Sequence, residues 1–311
     1  MIKYMVKKAG IAVITLFCVL VFIFVFARLT GNPFEIMYPD GMAPGQLEEY
    51  NAKYGLDQSY GRQFVLYLTN AFHGDFGDSL TERRPVTDIF FSRAGETLKL
   101  GSWALLISVT LGVTLGILMA LYQGNILVKI ADHTMSVLYA VPGFILAIFL
   151  LLIFSYSLRI LPSQGGGSLA HYVMPVACLC IGTTGAIPII RHVRNSILET
   201  LSQDYIRTAV AKGIGKKKTI LRHAFRNSLI PILTQISIVM VDILIGSLII
   251  ERTFSWPGIG TTLVSSVMNR DFTLVQFSVL MLAAVVILIN YLLDILYMVV
   301  DPRIEVEGSK T

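Results

Sequence analysis

The sequence predicts an all-α membrane protein with six transmembrane helices. The chain has 311 residues, of which 54% are hydrophobic and only 14% are charged, and its mean hydropathy is +0.69. A soluble protein carries about 25% charged residues, so this composition places the chain in a bilayer. Six runs approach the roughly 20 apolar residues that a span needs. They lie at about 9–28, 98–121, 131–157, 172–190, 229–250 and 274–300.

The first run is predicted to be a retained helix rather than a cleaved signal peptide. Lys3, Lys7 and Lys8 precede it, as lysines would precede a signal sequence. The run is longer than a typical signal h-region, and no small-x-small cleavage site follows Arg28. We therefore count it among the spans.

The distribution of Lys and Arg predicts that both termini are cytoplasmic. With the amino terminus inside, 15 of the 25 cations fall on inside segments, and nine of these lie from Arg191 to Arg226. The short outside loops carry only Arg159, Arg252 and Arg270, and short loops decide orientation. The pI near 9.0 is therefore a sign of topology, and we expect no nucleic-acid partner.

The segment between the first two spans is predicted to form a small helical cap on the outer face. Residues 44–55 place a proline near a helix start and a glycine past its end. Residues 59–74 carry apolar side chains near helical spacing, and residues 84–100 run into the second span. A loosely ordered loop is the alternative.

The second span carries a small residue at every fourth position. These residues are Ala104, Ser108, Gly112, Gly116 and Ala120. Small side chains let helix backbones approach closely in lipid, where packing drives association, so we predict that this helix is central. The chain shows no strong internal repeat, which disfavours a carrier built from inverted halves.

The chemistry of an enzyme is missing from the sequence. It contains no HExxH or GxSxG motif and no Cys/His cluster, and the three cysteines (Cys18, Cys178 and Cys180) fall inside apolar runs. The stretch GIGKKKT is similar to part of a phosphate-binding loop, but Lys217 stands where that motif needs Ser or Thr. We expect no catalytic residue, no metal and no cofactor on this chain.

A basic segment, 204–227, separates the fourth and fifth spans. It holds seven Lys or Arg and one acid, Asp204, which suits a helix start because its charge meets the helix dipole. Gly213 and Gly215 permit a sharp turn. We predict a short helix, a turn and a second helix that runs to Pro231. A basic helix lying on anionic lipid is the alternative, but it does not explain the Ala-x-Ala-x-Gly core.

This segment resembles the cytoplasmic loop of ABC importer permeases of the peptide/nickel branch. The runs YIRTAVAKG at 205–213 and RHAFRNSLIP at 222–231 are similar to the pattern of that branch. Arg207 and Thr208 stand where other branches have Glu and Ala, and Val210 stands where this branch commonly has Arg.

The resemblance covers almost the whole chain. KYGLDQ, GDFGDS and RRPVTDI, which begin at residues 53, 74 and 83, look like the external segment of the branch. VPGFILA and ILPSQG, from residues 141 and 160, resemble its third helix and the loop that follows. ERTFSWPGIG and DILYMVVDPRI, from residues 251 and 294, resemble its carboxy-terminal third. Each motif is weak by itself, whereas their order and spacing together are specific.

The resemblance implies the type I ABC importer permease fold and a domain organisation. A cytoplasmic amino terminus and a peripheral first helix would occupy 1–28, and the external segment 29–97. The permease core would occupy 98–304 and include a cytoplasmic coupling loop at 195–228, with a cytoplasmic tail at 305–311. The protein would lie in the plasma or inner membrane of a bacterium or archaeon.

The resemblance also implies partners and a mechanism. The complex would contain a second, homologous permease, two cytoplasmic ATPases that bind ATP and Mg, and an extracytoplasmic substrate-binding protein. A coupling helix from this chain would dock on an ATPase, with Gly213 as its hinge. The residues implied in that contact are Asp204, Tyr205, Ile206, Arg207, Thr208, Ala209, Ala211, Lys212, Gly213 and Ile214.

The cargo most consistent with the branch is a di- or oligopeptide. The same machine importing nickel, a metal chelate, glutathione or an opine-like solute is the first alternative. An ATP-independent channel or carrier, and a sensory or scaffold membrane protein, are alternatives of other classes.

Polar residues inside the spans are candidates for a translocation pathway. Gln235, Asp242 and Gly246 fall on one stripe of the fifth span, and an ionisable residue at mid-span is a pathway hypothesis by default. The alternative for Asp242 is a hydrogen bond to a neighbouring helix or to the partner permease. A second stripe, for which helix packing is the favoured interpretation, consists of Asn290, Asp294, Tyr297 and Asp301.

Overall fold

The computed structural model describes residues 2–29, 31–38, 41–182 and 184–300, and within these ranges it contains helices and no strand. The all-α prediction is therefore confirmed. The α-helices are α1 (Ile2–Leu29), α2 (Pro33–Met37), α3 (Gln46–Lys53), α4 (Tyr60–Phe72), α5 (Val86–Leu121), α6 (Ile126–Ala140), α7 (Gly143–Leu150), α8 (Leu169–Ile181), α9 (Ala186–Leu201), α10 (Asp204–Ala211), α11 (Lys216–Lys218), α12 (Phe225–Asn227), α13 (Leu229–Thr253), α14 (Ile259–Met268) and α15 (Phe272–Val300). Two stretches are π-helical, Leu151–Ser157 after α7 and Thr219–Ala224 between α11 and α12.

Four of the predicted spans are single helices, in α1, α5, α13 and α15. The third, 131–157, was wrongly predicted as one continuous run, because α6 and α7 meet at a bend of 97°. Val141 has extended backbone there, with φ −86° and ψ 119°, since a residue before proline is forced away from helical geometry and Pro142 follows it. The fourth span is also a bent pair, α8 and α9, with an angle of 42°. Counting each bent pair as one span gives the six that the sequence predicts.

The helix α5 begins well before the predicted start of the second span. With 36 residues at 1.5 Å per residue it is about 54 Å long, which exceeds the roughly 30 Å hydrocarbon core. Its small-residue stripe is buried along the whole length. A Cβ added to Gly112 would lie 2.5 Å from Ile189 Cγ2, and one added to Gly116 would lie 2.7 Å from Val193 Cβ. The stripe therefore packs directly against α9 at these two glycines, as expected for close approach of helix backbones, and the central position of the helix stays a prediction.

The chain divides into two compact units, which are described separately. The first contains the chain up to Gly95 together with Thr261–Tyr291, and the second contains Glu96–Gly260 and the chain from Leu292 onward. The predicted helical cap lies in the first unit, where α2, α3 and α4 follow α1.

In the first unit, α1 contacts the rest of the chain mainly at its carboxy-terminal end. The Phe24 ring lies 5.1 Å from that of Phe64 and 5.9 Å from that of Tyr67. Burial raises the pKa of Tyr67 to about 12, so this phenol remains neutral at physiological pH. In the 18-residue apolar stretch of α1 only 6% is buried within the chain, so lipid or another chain must cover the rest.

A buried carboxylate ties the segment before α5 to the start of α15, also within the first unit. Asp271 accepts hydrogen bonds from the Ser79 hydroxyl and from the hydroxyl and amide of Thr81, the latter two at 2.8 and 3.2 Å. Nearby, the rings of Phe76 and Phe277 are 4.7 Å apart. The GDFGDS motif therefore has a structural role, because its residues Phe76 and Ser79 hold this segment against the start of α15.

The core of the second unit is formed by α7, α8, α9 and α13, which pack on one another. The buried side chains Leu179, Ile189, Val193 and Ile243 come from α8, α9 and α13. The turn that follows α13 closes over the same cluster through Trp256, which is fully buried.

That turn is fixed by hydrogen bonds to the segment 96–97 and to α13. The Trp256 indole donates to the Glu96 carbonyl at 3.2 Å, and the Ile259 amide donates to Thr97 Oγ1 at 2.8 Å. The buried carboxylate of Glu251 accepts from the Gly260 amide at 2.6 Å. The ERTFSWPGIG motif thus folds into a largely buried turn in which Arg252 and Ser255 are exposed.

Candidate functional site

The basic segment forms the predicted short helix followed by a turn. The helix is α10, and Gly213 after it has φ +82°, a left-handed conformation that a glycine adopts without strain. A Cβ added to Gly213 would meet nothing within 4 Å. The glycine is thus needed for its backbone conformation, and no packing within this chain requires it.

Most of the described side chains of α10 face solvent. Asp204, Tyr205, Arg207 and Thr208 are exposed, whereas Ile206 is buried. The side chains of Ala209 and Val210 are outside the described set. At the end of the helix Ala211 is exposed, and beyond it Lys212 and Gly213 are exposed and Ile214 is half-buried. One apolar anchor thus holds a helix that presents its polar side chains outward.

Among the residues that the structure describes, the charges on this surface form one ion pair, and that pair is exposed. The Arg207 guanidinium lies 3.5 Å from the Asp204 carboxylate, with side-chain exposures of 78% and 97%, and a pair so exposed adds little stability. Lys212, Lys217 and Lys218 are also exposed. The segment therefore presents a basic surface that is free to contact a partner.

The base of the segment is rigid. Ile220 and Ala224 are completely buried in the same core cluster as α9 residues. The Ser228 hydroxyl lies 3.0 Å from both the Ser196 carbonyl and the Thr200 hydroxyl of α9. The base of the segment is thus packed in the core and hydrogen-bonded to α9.

The second predicted helix of the segment differs from expectation in its form. Instead of a regular α-helix it consists of α11, a π-helical stretch and α12. Thr219 at the start of that stretch donates its hydroxyl to the carbonyls of Ile214 and Gly215, at 3.3 and 3.2 Å. A hydroxyl that bonds back to the helix backbone perturbs regular helical geometry, and this interaction was not anticipated from the sequence.

On α13 the three candidate pathway residues have different surroundings. Gln235 and Asp242 are half-buried, and within the described parts of the chain neither side chain has a hydrogen bond or ion pair. Gly246 instead faces a neighbour, since an added Cβ would lie 3.3 Å from Thr184 Cγ2. Gly246 therefore permits close packing, and Asp242 is left available to a ligand or another chain.

The second polar stripe lies only partly in the described chain. Asn290 donates its side-chain amide to the Val286 carbonyl one turn back, at 3.0 Å. The side chain of Tyr297 and the whole of Asp301 lie outside the described residues.

Two arginines of α9 bind α6, a contact that the sequence analysis missed. Arg194 lies 3.2 Å from the Asp132 carboxylate, and Arg191 donates to the Ser136 hydroxyl at 2.6 Å. The guanidinium of Arg191 also lies 5.4 Å from the Tyr139 ring centroid. The spacing i,i+3 places Arg191 and Arg194 on one face of α9, and the spacing i,i+4 places Asp132 and Ser136 on one face of α6. These spacings are visible in the sequence, but tertiary packing decides which two helices meet.

The fold and this site define a polytopic helical membrane protein with a basic, exposed helix on a rigid base between two spans. Comparison with known families identifies it further. Residues 112–306 match the family described as binding-protein-dependent transport system inner membrane component, and the chain belongs to this family.

Individual relatives agree with that assignment. The chain is 35% identical over 305 residues to the glutathione transport system permease protein GsiC of Shigella flexneri serotype 5b, covering 98% of this chain and 99% of that protein. The protein of the same name from Escherichia coli strain K12 matches with the same identity and coverage.

A solved structure shows the same fold. An inward-facing conformation of the MetNI methionine ABC transporter superposes with a TM-score of 0.59 at 18% identity, covering 69% of this chain and 97% of that one. The protein is therefore an inner-membrane permease subunit of an ABC importer. This excludes the channel, carrier and scaffold alternatives, and its relatives are transport permease subunits rather than enzymes.

Proposed function

We propose that this subunit imports peptides through a complex powered by ATP, with di- or oligopeptides as the expected cargo and glutathione, itself a tripeptide, as the alternative. The order of the peptide/nickel-branch motifs along the chain supports a peptide cargo. The glutathione transport permeases to which the chain is 35% identical support it independently. Among the described residues no group of three or more His, Cys, Asp or Glu could hold a metal ion, so no observation favours nickel as cargo.

The segment 204–214 is the contact through which an ATPase drives transport. The observation that carries this assignment is the contrast between the exposed residues of α10 and the buried base beneath them. A coupling element must offer an accessible surface and must also transmit displacement without yielding. The hydrogen bonds from Ser228 to α9 meet the second requirement.

The remaining partners follow from this role. Two ATPases bind ATP and Mg, a second permease completes the pathway, and an extracytoplasmic binding protein delivers cargo. The exposed apolar face of α1 is suited to lipid or to that second permease. Both termini lie in the cytoplasm, as the distribution of cations supports.

The experiment that tests the proposal is uptake by reconstituted complex. The permease pair, the ATPases and the binding protein encoded around this gene are reconstituted in proteoliposomes. ATP is supplied on the side of the membrane on which the ATPases lie. A pool of di- to hexapeptides with added glutathione is supplied, and depletion is measured by mass spectrometry.

We expect selective, ATP-dependent depletion of peptides. If peptides and glutathione are untouched while the loaded binding protein still stimulates ATP hydrolysis, the peptide cargo is wrong and the importer role stands. A matched preparation with a non-hydrolysable ATP analogue controls for leakage.

A further inference from the structure

A cavity of about 460 Å³ opens in the second unit beside the end of the third predicted span. Its volume is in the range of small-molecule sites. Two leucines line its apolar part. The polar lining consists of Ser155, Tyr156, Arg159, Ser163, Gln164 and Thr253.

The backbone around the cavity departs from regular structure. The wall Leu151–Ser157 is π-helical, a rare conformation that is frequently found at functional sites. Arg159, two residues further on, has φ +54°, which is uncommon for a residue with a side chain. A left-handed residue is common just after the end of a helix, and Arg159 takes this conformation two residues after the π-helical wall.

The walls of the cavity are also fixed to one another. The Gly165 amide, next to Gln164, donates to the Phe254 carbonyl at 3.1 Å, next to Thr253. The Leu158 amide donates to the Ile153 carbonyl at 2.9 Å, which ties the chain before Arg159 to the π-helical wall. The polar groups thus line a cavity that is open to the surface and whose walls are joined by these hydrogen bonds.

The chemistry of the lining selects an anion. Among the described residues that line it, Arg159 is the only charged one, and the other polar side chains are neutral hydroxyls and an amide. Within the described chain, the Arg159 side chain makes no hydrogen bond and no ion pair. A guanidinium offers planar, paired donors that match a carboxylate in bidentate geometry.

We propose that this cavity receives the carboxylate of the cargo at the outer side of the membrane and makes the importer prefer solutes that carry a free carboxylate. The inference rests on the proposed import function, and it places the cavity outside because the predicted topology puts residues 158–168 there. The hydroxyls and the amide would satisfy the carboxylate oxygens that the guanidinium leaves open.

The test compares two probes that differ only at the recognised group, trialanine and trialanine amide. Initial uptake of each is measured with the complete complex in phosphatidylcholine proteoliposomes, for the natural chain and for Arg159→Gln, Arg159→Gly and Arg159→Lys. The binding protein is the same in every preparation, so its own selectivity is common to all. Arg252→Gln, which alters an exposed arginine next to Thr253 that does not line the cavity, is the matched control.

We expect the natural chain and Arg252→Gln to share one acid-to-amide ratio, and Arg159→Gln to lower that ratio about 10-fold, as the loss of one charge-assisted contact implies. Arg159→Gly should lower it equally, and since glycine accepts φ +54° without strain, a folding defect cannot explain its effect. Arg159→Lys should retain part of the preference. A ratio that is unchanged in both Arg159→Gln and Arg159→Gly overturns the inference.

Two further outcomes distinguish this inference from the proposed cargo and from a bound lipid. If neither trialanine nor trialanine amide is taken up with the natural chain, the proposed cargo is wrong. Binding of trialanine to the complex in nanodiscs, measured by saturation-transfer NMR, then tests whether the cavity recognises the carboxylate. Loss of trialanine binding in Arg159→Gln supports the inference, and binding equal to that of the natural chain contradicts it. If native mass spectrometry instead shows phosphatidylglycerol retained by the natural chain, lost in Arg159→Gln and without effect on the uptake ratio, the occupant is a lipid phosphate and the inference is wrong.

Discussion

The two ends of α13 lead into segments of opposite character. Before its first residue lies the proposed coupling segment, 204–214, whose described polar side chains are exposed and whose ion pair, Arg207 with Asp204, is between neighbours on one helix. After its last residue lies the turn 251–260, whose Glu251 and Trp256 are fully buried and whose hydrogen bonds reach residues far away in the sequence. The turn forms its contacts within this chain, whereas on our proposal the coupling segment forms its contact with a partner.

The contrast shows how motifs of similar strength in a sequence can have different causes. The ERTFSWPGIG turn needs its residues because they fit one another. The coupling segment needs its residues for a surface that this chain does not itself cover. Substitutions in the turn should therefore act on folding, and substitutions in the coupling segment should act on transport.

The largest effect is expected from Gly258→Ala in the turn. An added Cβ would lie 2.6 Å from Thr97 Oγ1 and would also collide with the Glu251 carboxylate. Overpacking of this kind costs roughly 1–3 kcal/mol, so the folded subunit should be recovered in lower yield and should unfold at lower temperature. Gly166→Ala is the matched control, because its nearest contact would be an ordinary 3.5 Å to Pro257. Equal thermal stability of the two variants would contradict the description of the turn as closely packed.

The next largest effect is expected from Gly213→Asp, and mainly on transport. The new side chain has space within this chain, but it adds bulk, a negative charge and left-handed strain to a docked turn. Loss of a contact at the centre of an interface implies that uptake falls about 10-fold or more.

The comparison for Gly213→Asp is Gly124→Asp. Gly124 has φ +94° and equally open surroundings, in the loop after α5. Both variants should reach the membrane at similar levels, which a quantitative immunoblot checks. Normal ATP-driven uptake in Gly213→Asp, or an equal loss in Gly124→Asp, would remove the argument for docking at this turn.

A smaller effect is expected from Asp242→Asn, midway along α13. If the carboxylate faces the pathway, removing its charge weakens attraction of a cargo ammonium and uptake falls several-fold, roughly the value of one charge-assisted hydrogen bond. Thermal stability should not change, because the side chain has no polar partner within the described chain. Unchanged uptake with a lowered melting temperature would assign Asp242 to helix packing instead.

The smallest effect is expected at the contact between α6 and α9. Arg194 and Asp132 are partly exposed, so a double-mutant cycle with Arg194→Ala and Asp132→Ala should give a coupling of about 0.5–1 kcal/mol in thermal unfolding. A coupling near zero would mean that apolar contacts, rather than these charges, hold α6 in place.

Much of the fold could be read from the sequence because a bilayer imposes simple rules. Every backbone group must be satisfied inside it, which leaves helices of predictable length, and the single-helix spans follow from that requirement. The stripe from Ala104 to Ala120 and the glycine turn at Gly213 were also readable, since both depend on local spacing and backbone conformation. The assignment of 204–214 to an ATPase contact stays a prediction.

Tertiary structure decided what local rules cannot supply. The 97° bend after Ala140 shows that apolar length alone does not distinguish a straight span from a broken one. Packing also decided which polar groups are satisfied within the chain. Examples are the hydrogen bonds of Asp271 to Ser79 and Thr81, the burial of Glu251 and the pairing of Arg194 with Asp132. Residues far apart in the sequence meet in these places, and only packing brings them together. The sequence by itself determined which parts of the chain enter the membrane and which segment stays exposed between them. The three-dimensional fold determined where helices break and which charges are satisfied within the chain, because both depend on contacts between residues that are distant along it.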